Sequence, residues 1–239
     1  MKRALVTGGS GQIGAAICRQ LAEEHLHVIV HAHRHRASAE DVTQHIIEAG
    51  GSASVACFDV SDAQATQRAL AELLEAGPIQ VLVNNAGIHD DAPMAGMRPD
   101  QWSKVIAVSL HGFFNVTQPL LLPMMGTRWG RIITISSISA VLGNRGQTNY
   151  AAAKAGLHGA CKSLAQEAAS RGVTVNVVAP GIIESRMVEQ TFKPEQIEAL
   201  VPMKRAGTPQ EVAYLVGFLA SEKADYISGQ VIGLNGGMA

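Results

Sequence analysis

Short runs of β-branched and aliphatic residues recur along the chain, separated by longer stretches of mixed polarity. The runs are Ala4–Val6, His27–His31, Ser54–Phe58, Gln80–Val83, Arg131–Ile135, Thr174–Val178 and Gln230–Leu234. Near-continuous apolar runs of this length read as strands buried on both faces, as in a parallel sheet. Between them, apolar residues return every three or four positions over Gln12–Glu24, Ser38–Ala49, Ala63–Glu75, Pro99–Met125, Tyr150–Arg171 and Pro209–Ser221. That spacing predicts helices with one face toward a core. Strand and helix alternate to the end, which predicts one doubly wound α/β domain over residues 1–239, a predominantly parallel seven-stranded sheet with helices on both faces. The stretch 182–207 breaks the alternation. It holds Pro194, Pro202 and a short helical stretch. Ligands in such sheets bind beyond the carboxyl ends of the strands, so this stretch is expected to be a substrate lid.

Composition narrows the class. Apolar residues make up 47% of the chain and charged residues 16%, which excludes a disordered or fibrous protein. A formal net charge of −1 gives no global attraction to nucleic acid or to an anionic membrane. No uninterrupted apolar run approaches the ~20 residues of a membrane-spanning helix. Three scattered cysteines, Cys18, Cys57 and Cys161, suit a reducing compartment, and no signal peptide is recognisable, so the cytoplasm is expected.

Two motifs carry chemistry. Thr7-Gly8-Gly9-Ser10-Gly11-Gln12-Ile13-Gly14 stands between the first strand and the first helix. Glycines there let backbone approach a pyrophosphate, and the helix N-terminus supplies free N–H groups. Tyr150 and Lys154 lie four apart on a helix and so share a face. An ammonium beside a phenol is expected to pull its pKa down and make it a usable general acid/base.

These residues, with others in order along the whole chain, resemble the short-chain dehydrogenase/reductase family of Rossmann-fold enzymes. The loop from Gly8 to Gly14 is similar to its cofactor loop, Asp59 and Val60 to its adenine contact, and Asn85-Ala86-Gly87 to its fourth-strand motif. Ser137, Tyr150 and Lys154 resemble its catalytic set, and Pro180, Gly181 and Ile183 the turn that holds the nicotinamide amide. The resemblance implies hydride transfer to a carbonyl whose oxygen is held by Ser137 and protonated by Tyr150, with Lys154 also holding the nicotinamide ribose. Two positions depart from the pattern. Gln12 stands where Gly is usual, which matters if the site needs positive φ. Ser109 stands where Asn is usual, a residue that works largely through its main-chain carbonyl, and Ser109 is expected to keep that relay.

The second strand is followed by His33-Arg34-His35-Arg36, with no acid before Glu40. An acid there would select NAD, whereas Arg34 can pair with a 2′-phosphate, so NADP is expected. His31, His33 and His35 have no carboxylate or Cys nearby in sequence, so no metal site is expected. Around Tyr150 and at Asn235-Gly236-Gly237 the chain looks most similar to 3-oxoacyl-[acyl-carrier-protein] reductases. That resemblance implies reduction of a 3-oxoacyl thioester, acyl carrier protein as partner, carrier docking at Arg128 and Arg171, and a homotetramer. An NADP-dependent reductase of a free ketone or CoA thioester, and a non-catalytic NADP-binding protein, stand as alternatives.

Overall fold

The computed structural model describes residues 1–239, apart from the side chains of residues 186, 187 and 189 inside the expected lid. The seven apolar runs form seven strands: β1 Arg3–Val6, β2 His27–Ala32, β3 Ser52–Cys57, β4 Val81–Asn84, β5 Gly130–Ile135, β6 Val173–Pro180 and β7 Val231–Leu234. They make one sheet in the order β3-β2-β1-β4-β5-β6-β7, parallel throughout. The central strands β4, β5 and β6 are buried along their whole length because both faces are covered. Ala4 and Val6 of β1 join one apolar layer while Leu5 joins the other.

Ten helices are described: α1 Gln12–Glu23, α2 Arg36–Glu48, α3 Ala63–Glu75, α4 Pro99–Ile106, α5 Gly112–Gly126, α6 Ser139–Leu142, α7 Thr148–Ala168, α8 Arg186–Thr191, α9 Pro194–Leu200 and α10 Pro209–Ala220. The first layer takes Ile17 and Leu21 of α1, Ile46 of α2 and Val212 of α10. The second takes Leu70 of α3, Leu120 of α5 and Cys161 of α7.

Three expectations are corrected. The helix expected over Pro99–Met125 is interrupted at Ala107–His111 by a π-helical turn, a local widening common at functional sites and silent in side-chain periodicity. The stretch 182–207 holds two short helices, not one. Ser185 caps the first, its side chain accepting from the Val188 N–H, and Pro194 opens the second. Strand β6 runs on through Pro180, whose missing N–H did not end it at Val178. Pro99–Gly126 as a whole has the length and mean hydropathy (1.4) of a membrane span. Here it packs on the sheet through Val116, Leu120 and Met124.

Strand β1 is flanked by β2 on one side and β4 on the other, so the chain winds outward in both directions from the β1/β4 pair. The crevice beyond the carboxyl ends of those two strands is where such sheets bind ligands.

Candidate active site

The glycine-rich loop follows β1 into that crevice. Gly8 takes φ 63°, which glycine adopts at no steric cost. Thr7 Oγ1 accepts from the N–H groups of Asn85 (2.9 Å) and Ala86 (3.0 Å), and Asn85 Nδ2 donates to the carbonyls of Thr7 (2.9 Å) and Gly8 (3.1 Å). The Asn85-Ala86-Gly87 motif thus braces the loop from β4. Gly11 is the N-cap of α1, no side chain caps that helix, and its first turn holds no acid. Beside Gly11 a Cβ would meet only the Gly8 carbonyl, at 3.5 Å. An open, uncapped helix start with backbone free to approach a ligand fits a pyrophosphate. Gln12 is the first residue of α1 and is not among the positive-φ residues, so Gly is not required there.

The residues expected to be catalytic stand just past the end of β5 and in the first turns of α7. Ser137 follows β5, where its Oγ accepts from the Ser139 N–H at 3.1 Å. The Ser137 hydroxyl stands close enough to the Tyr150 phenol to influence its titration. Lys154 is 3% exposed, donates to the Ile135 carbonyl at 2.9 Å, and holds its Nζ 5.7 Å from the Tyr150 ring centroid. Gly87 lies against it, since a Cβ there would sit 3.0 Å from Nζ. The helix face therefore meets the strand end residue by residue. One turn further along, His158 Nε2 lies 2.7 Å from Ser136 Oγ.

Electrostatics depart from expectation. Burial raises the Tyr150 phenol, the Ser137 hydroxyl opposes it, and the Asp91 carboxylate pushes it up further. The phenol of the ligand-free protein is therefore held above its ordinary value, not below it. Burial lowers Lys154 instead, to about 8. Below pH 8 folding carries the cost of this buried ammonium, about 3 kcal/mol for a shift of this size. That cost fades as pH rises from the folded pKa toward the unfolded 10.5. We expect Lys154→Met to raise Tm at pH 7 by several degrees and to abolish turnover, with the stability gain vanishing near pH 10.5. Equal melting temperatures at pH 7 would contradict the burial argument.

Sequence reasoning missed a polar strut over the site. Gln147 Nε2 donates to Asp91 Oδ2 (2.8 Å) and Ser139 Oγ donates to Gln147 Oε1 (3.0 Å). Asn149, fully buried, donates to the carbonyls of Asp90 (3.0 Å) and Gln101 (3.1 Å) and accepts from the Tyr150 N–H (2.8 Å). The loop after β4 is so fixed to the start of the catalytic helix. The polarity of residues 144–149 was the available signal. Ser109 lies in the π-helical turn, 3% exposed, with an unpartnered hydroxyl. With Lys154, Thr134 and Asn84 it lines a cavity of about 10 Å³, suited to a single water.

Other expected residues fall nearby. Asp59 Oδ1 accepts from the Ser61 N–H (2.9 Å) and hydroxyl (2.7 Å), and His33 Nε2 is 3.5 Å from its other oxygen. Burial would raise Asp59, but the Ser61 bonds, His33 and Arg34 hold it below its usual value. Val60 is buried beneath that turn. Ser10 and Ile13 are half-buried, in the loop after β1 and the first turn of α1, and Arg34 is exposed just past the end of β2. The Pro180 carbonyl accepts from the Ile138 N–H (2.7 Å), Gly181 N–H donates to Leu234 O (2.9 Å), and Ile183 bridges to Gly207. Among the described residues no group of three or more His, Cys, Asp or Glu could hold a metal.

Arg128 and Arg171 are not brought to this cleft, which corrects their expected place. They precede β5 and β6, at the amino ends of the strands, both exposed. The six residues of β5 put about 20 Å between Arg128 and Ser137.

A dinucleotide loop, a Ser-Tyr-Lys set and the 3-2-1-4-5-6-7 parallel sheet together define a nicotinamide-dependent oxidoreductase. The chain belongs to the short-chain dehydrogenase/reductase family. The sequence model of a family described as Enoyl-(Acyl carrier protein) reductase matches residues 9–239. The chain is 41% identical to a 3-oxoacyl-[acyl-carrier-protein] reductase of Aggregatibacter actinomycetemcomitans, over 98% of either chain. It is 43% identical to Nodulation protein G of Azospirillum brasilense, over 99% of this chain and 98% of the relative. It is also 43% identical to a 3-oxoacyl-[acyl-carrier-protein] reductase of Vibrio harveyi, over 99% of this chain and 97% of the relative.

Proposed function

We propose that this protein reduces a 3-oxoacyl thioester carried on acyl carrier protein to the 3-hydroxyacyl form, using NADPH. The observation that carries this reading is the proximity of Ser137 to the Tyr150 phenol, with the Lys154 Nζ 5.7 Å from the phenol ring centroid, in a sheet whose first helix has an uncapped N-terminus. Two neighbouring hydroxyls suit a carbonyl oxygen better than a carbon–carbon double bond, which favours the activity named in the relatives over that in the family description.

A dinucleotide held in the crevice would supply the hydride that the carbonyl carbon takes up. Ser137 holds the carbonyl oxygen, and Tyr150 Oη gives that oxygen its proton. The phenolate left behind is stabilised by the Lys154 ammonium. Gly8 to Gly14 and the α1 N-terminus would hold the pyrophosphate, Asp59 and Val60 the adenine, and Gly181 and Ile183 the nicotinamide amide. Arg34, exposed and with no nearer acid on its loop, would hold a 2′-phosphate; this supports NADP over NAD. The segment 182–207 would close over the acyl chain as a lid.

Exposed Phe114 and Leu122 on α5, with Tyr214 and Phe218 on α10, support a homotetramer; a monomer by light scattering overturns it. Carrier docking depends on that assembly. A carrier seated on Arg128 and Arg171 faces the wrong end of its own sheet and serves the cleft of another copy. Free cysteines fit the cytoplasm.

The distance from the arginines to the cleft favours a second reading, an NADP-dependent reductase of a free ketone or CoA thioester. NADPH consumption with one 3-oxoacyl group, on carrier protein and as a truncated thioester, decides between them. Higher kcat/KM on the carrier, lost in Arg128→Glu by about tenfold while the truncated thioester is unaffected, supports the carrier reading. Equal loss on both substrates sinks the docking idea.

A further inference from the structure

His31 stands near the end of β2, level with the glycine-rich loop, and is 2% exposed. Both its ring nitrogens are engaged. Gly8 N–H donates to Nδ1 at 3.1 Å, and Nε2 lies 2.9 Å from the Phe58 carbonyl oxygen. A backbone N–H can only donate and a carbonyl can only accept, so the ring is neutral with its proton on Nε2. The ring also packs against Phe58, centroids 4.2 Å apart. Gly8 opens the phosphate loop, and Phe58 leads into Asp59 and Val60. Gly8 is thus gripped on both sides of its Cα, its N–H by His31 and its carbonyl by Asn85. An apolar residue at 31 would leave a backbone donor and an acceptor unpaired at the two places where the halves of a dinucleotide would lie.

We propose that His31 is a positioning residue of the dinucleotide site, a neutral imidazole brace that fixes the Gly8 peptide and ties the phosphate loop to the turn at Phe58–Val60. This rests on the reading of that crevice as the dinucleotide site. Burial, the largest influence, pushes the imidazole down to about 4, with His33 also lowering it and the Phe58 bond and Asp59 raising it. Because the folded value lies below the unfolded 6.5, the brace is at full strength above pH 6.5. Its contribution to stability fades as pH falls from there toward 4.

The test compares His31→Asn with His31→Leu, two side chains of similar size of which only Asn offers an acceptor and a donor. Dissociation constants for NADPH and NADH are measured by fluorescence titration, with kcat at saturating cofactor. His31→Leu should weaken both dinucleotides by the same factor, about tenfold for the bonds lost, with kcat within about twofold of wild type. His31→Asn should recover most of the affinity. Equal affinity in the two variants overturns the proposal, as does a loss confined to NADPH. If the wild-type protein binds neither dinucleotide, the crevice reading fails instead. Should His31→Leu not fold, the wild type decides: histidine nitrogen NMR at pH 7 should find Nδ1 unprotonated, and a proton on Nδ1 overturns the brace.

Discussion

Tyr150→Phe should all but abolish turnover: kcat for carbonyl reduction falls by about 10³-fold or more, as expected for loss of a positioned general acid. The phenol is the one acidic hydrogen placed against the Ser137 hydroxyl, and Ser137 itself is too weak an acid to replace it. Fold and dinucleotide affinity should hold, because the ring stays and Lys154 keeps its own bond to Ile135. The raised phenol also sets a direction. Tyr150 is protonated through neutral pH, which is the form reduction consumes. On the alkaline side the first loss is the proton of Lys154, near pH 8, and not that of Tyr150. Steady-state rates from pH 6 to 10 check both statements. A Phe variant retaining a tenth of the activity would move the acid elsewhere.

Gly14→Ala should cost the protein its dinucleotide and much of its stability. A Cβ at position 14 would overlap the Gly8 carbonyl oxygen and come within 2.8 Å of Gly9 Cα and 2.9 Å of Asn85 Nδ2. Two of these are backbone atoms of the phosphate loop and cannot swing aside. Either α1 backs away from the loop or the loop opens, and both disturb the Asn85 bonds that hold Thr7 and Gly8. Overpacking of this kind costs about 1–3 kcal/mol, and more where backbone must move. Thermal melting and NADPH titration should both show the defect. Wild-type values for the two would mean that the loop is looser than the geometry says.

Much of this was legible in the sequence, for physical reasons. A strand covered on both faces is mostly apolar, so the central runs announce themselves even with a buried Arg131 or Asn176 among them. Tyr150 and Lys154 are found by spacing because helix geometry puts them on one face. Ser137 stands among other serines and is found only by its distance from Tyr150. The sign of the Tyr150 shift was not legible, because it turns on whether burial outweighs charge, and burial belongs to the tertiary structure. Nor was the π-helical turn at Ala107–His111, since an extra residue in one turn leaves the side-chain pattern almost unchanged. The place of Arg128 and Arg171 is a different lesson. Each precedes its strand, and ligands sit where strands end, so their remoteness from Tyr150 could have been read directly.

The stretch between Ile183 and Gly207 has a consequence for how this protein can diverge. Ile183 pairs with Gly207, the Glu184 N–H donates to the Gly207 carbonyl, and the Gly207 N–H donates to the Ile182 carbonyl. The chain enters and leaves this segment through one narrow doorway, while buried Val201 and the Met203 N–H, which donates to the Gly236 carbonyl, tie its far part back to the body. Residues can be added or removed outside that doorway without shifting the register of any strand. Doubling the length of such a loop costs only about 0.6 kcal/mol in closure entropy. Under the lid reading proposed above, appetite for new acyl groups can therefore be inherited, lost and regained in one short exchangeable cassette, while the rest of the fold passes unchanged from ancestor to descendant.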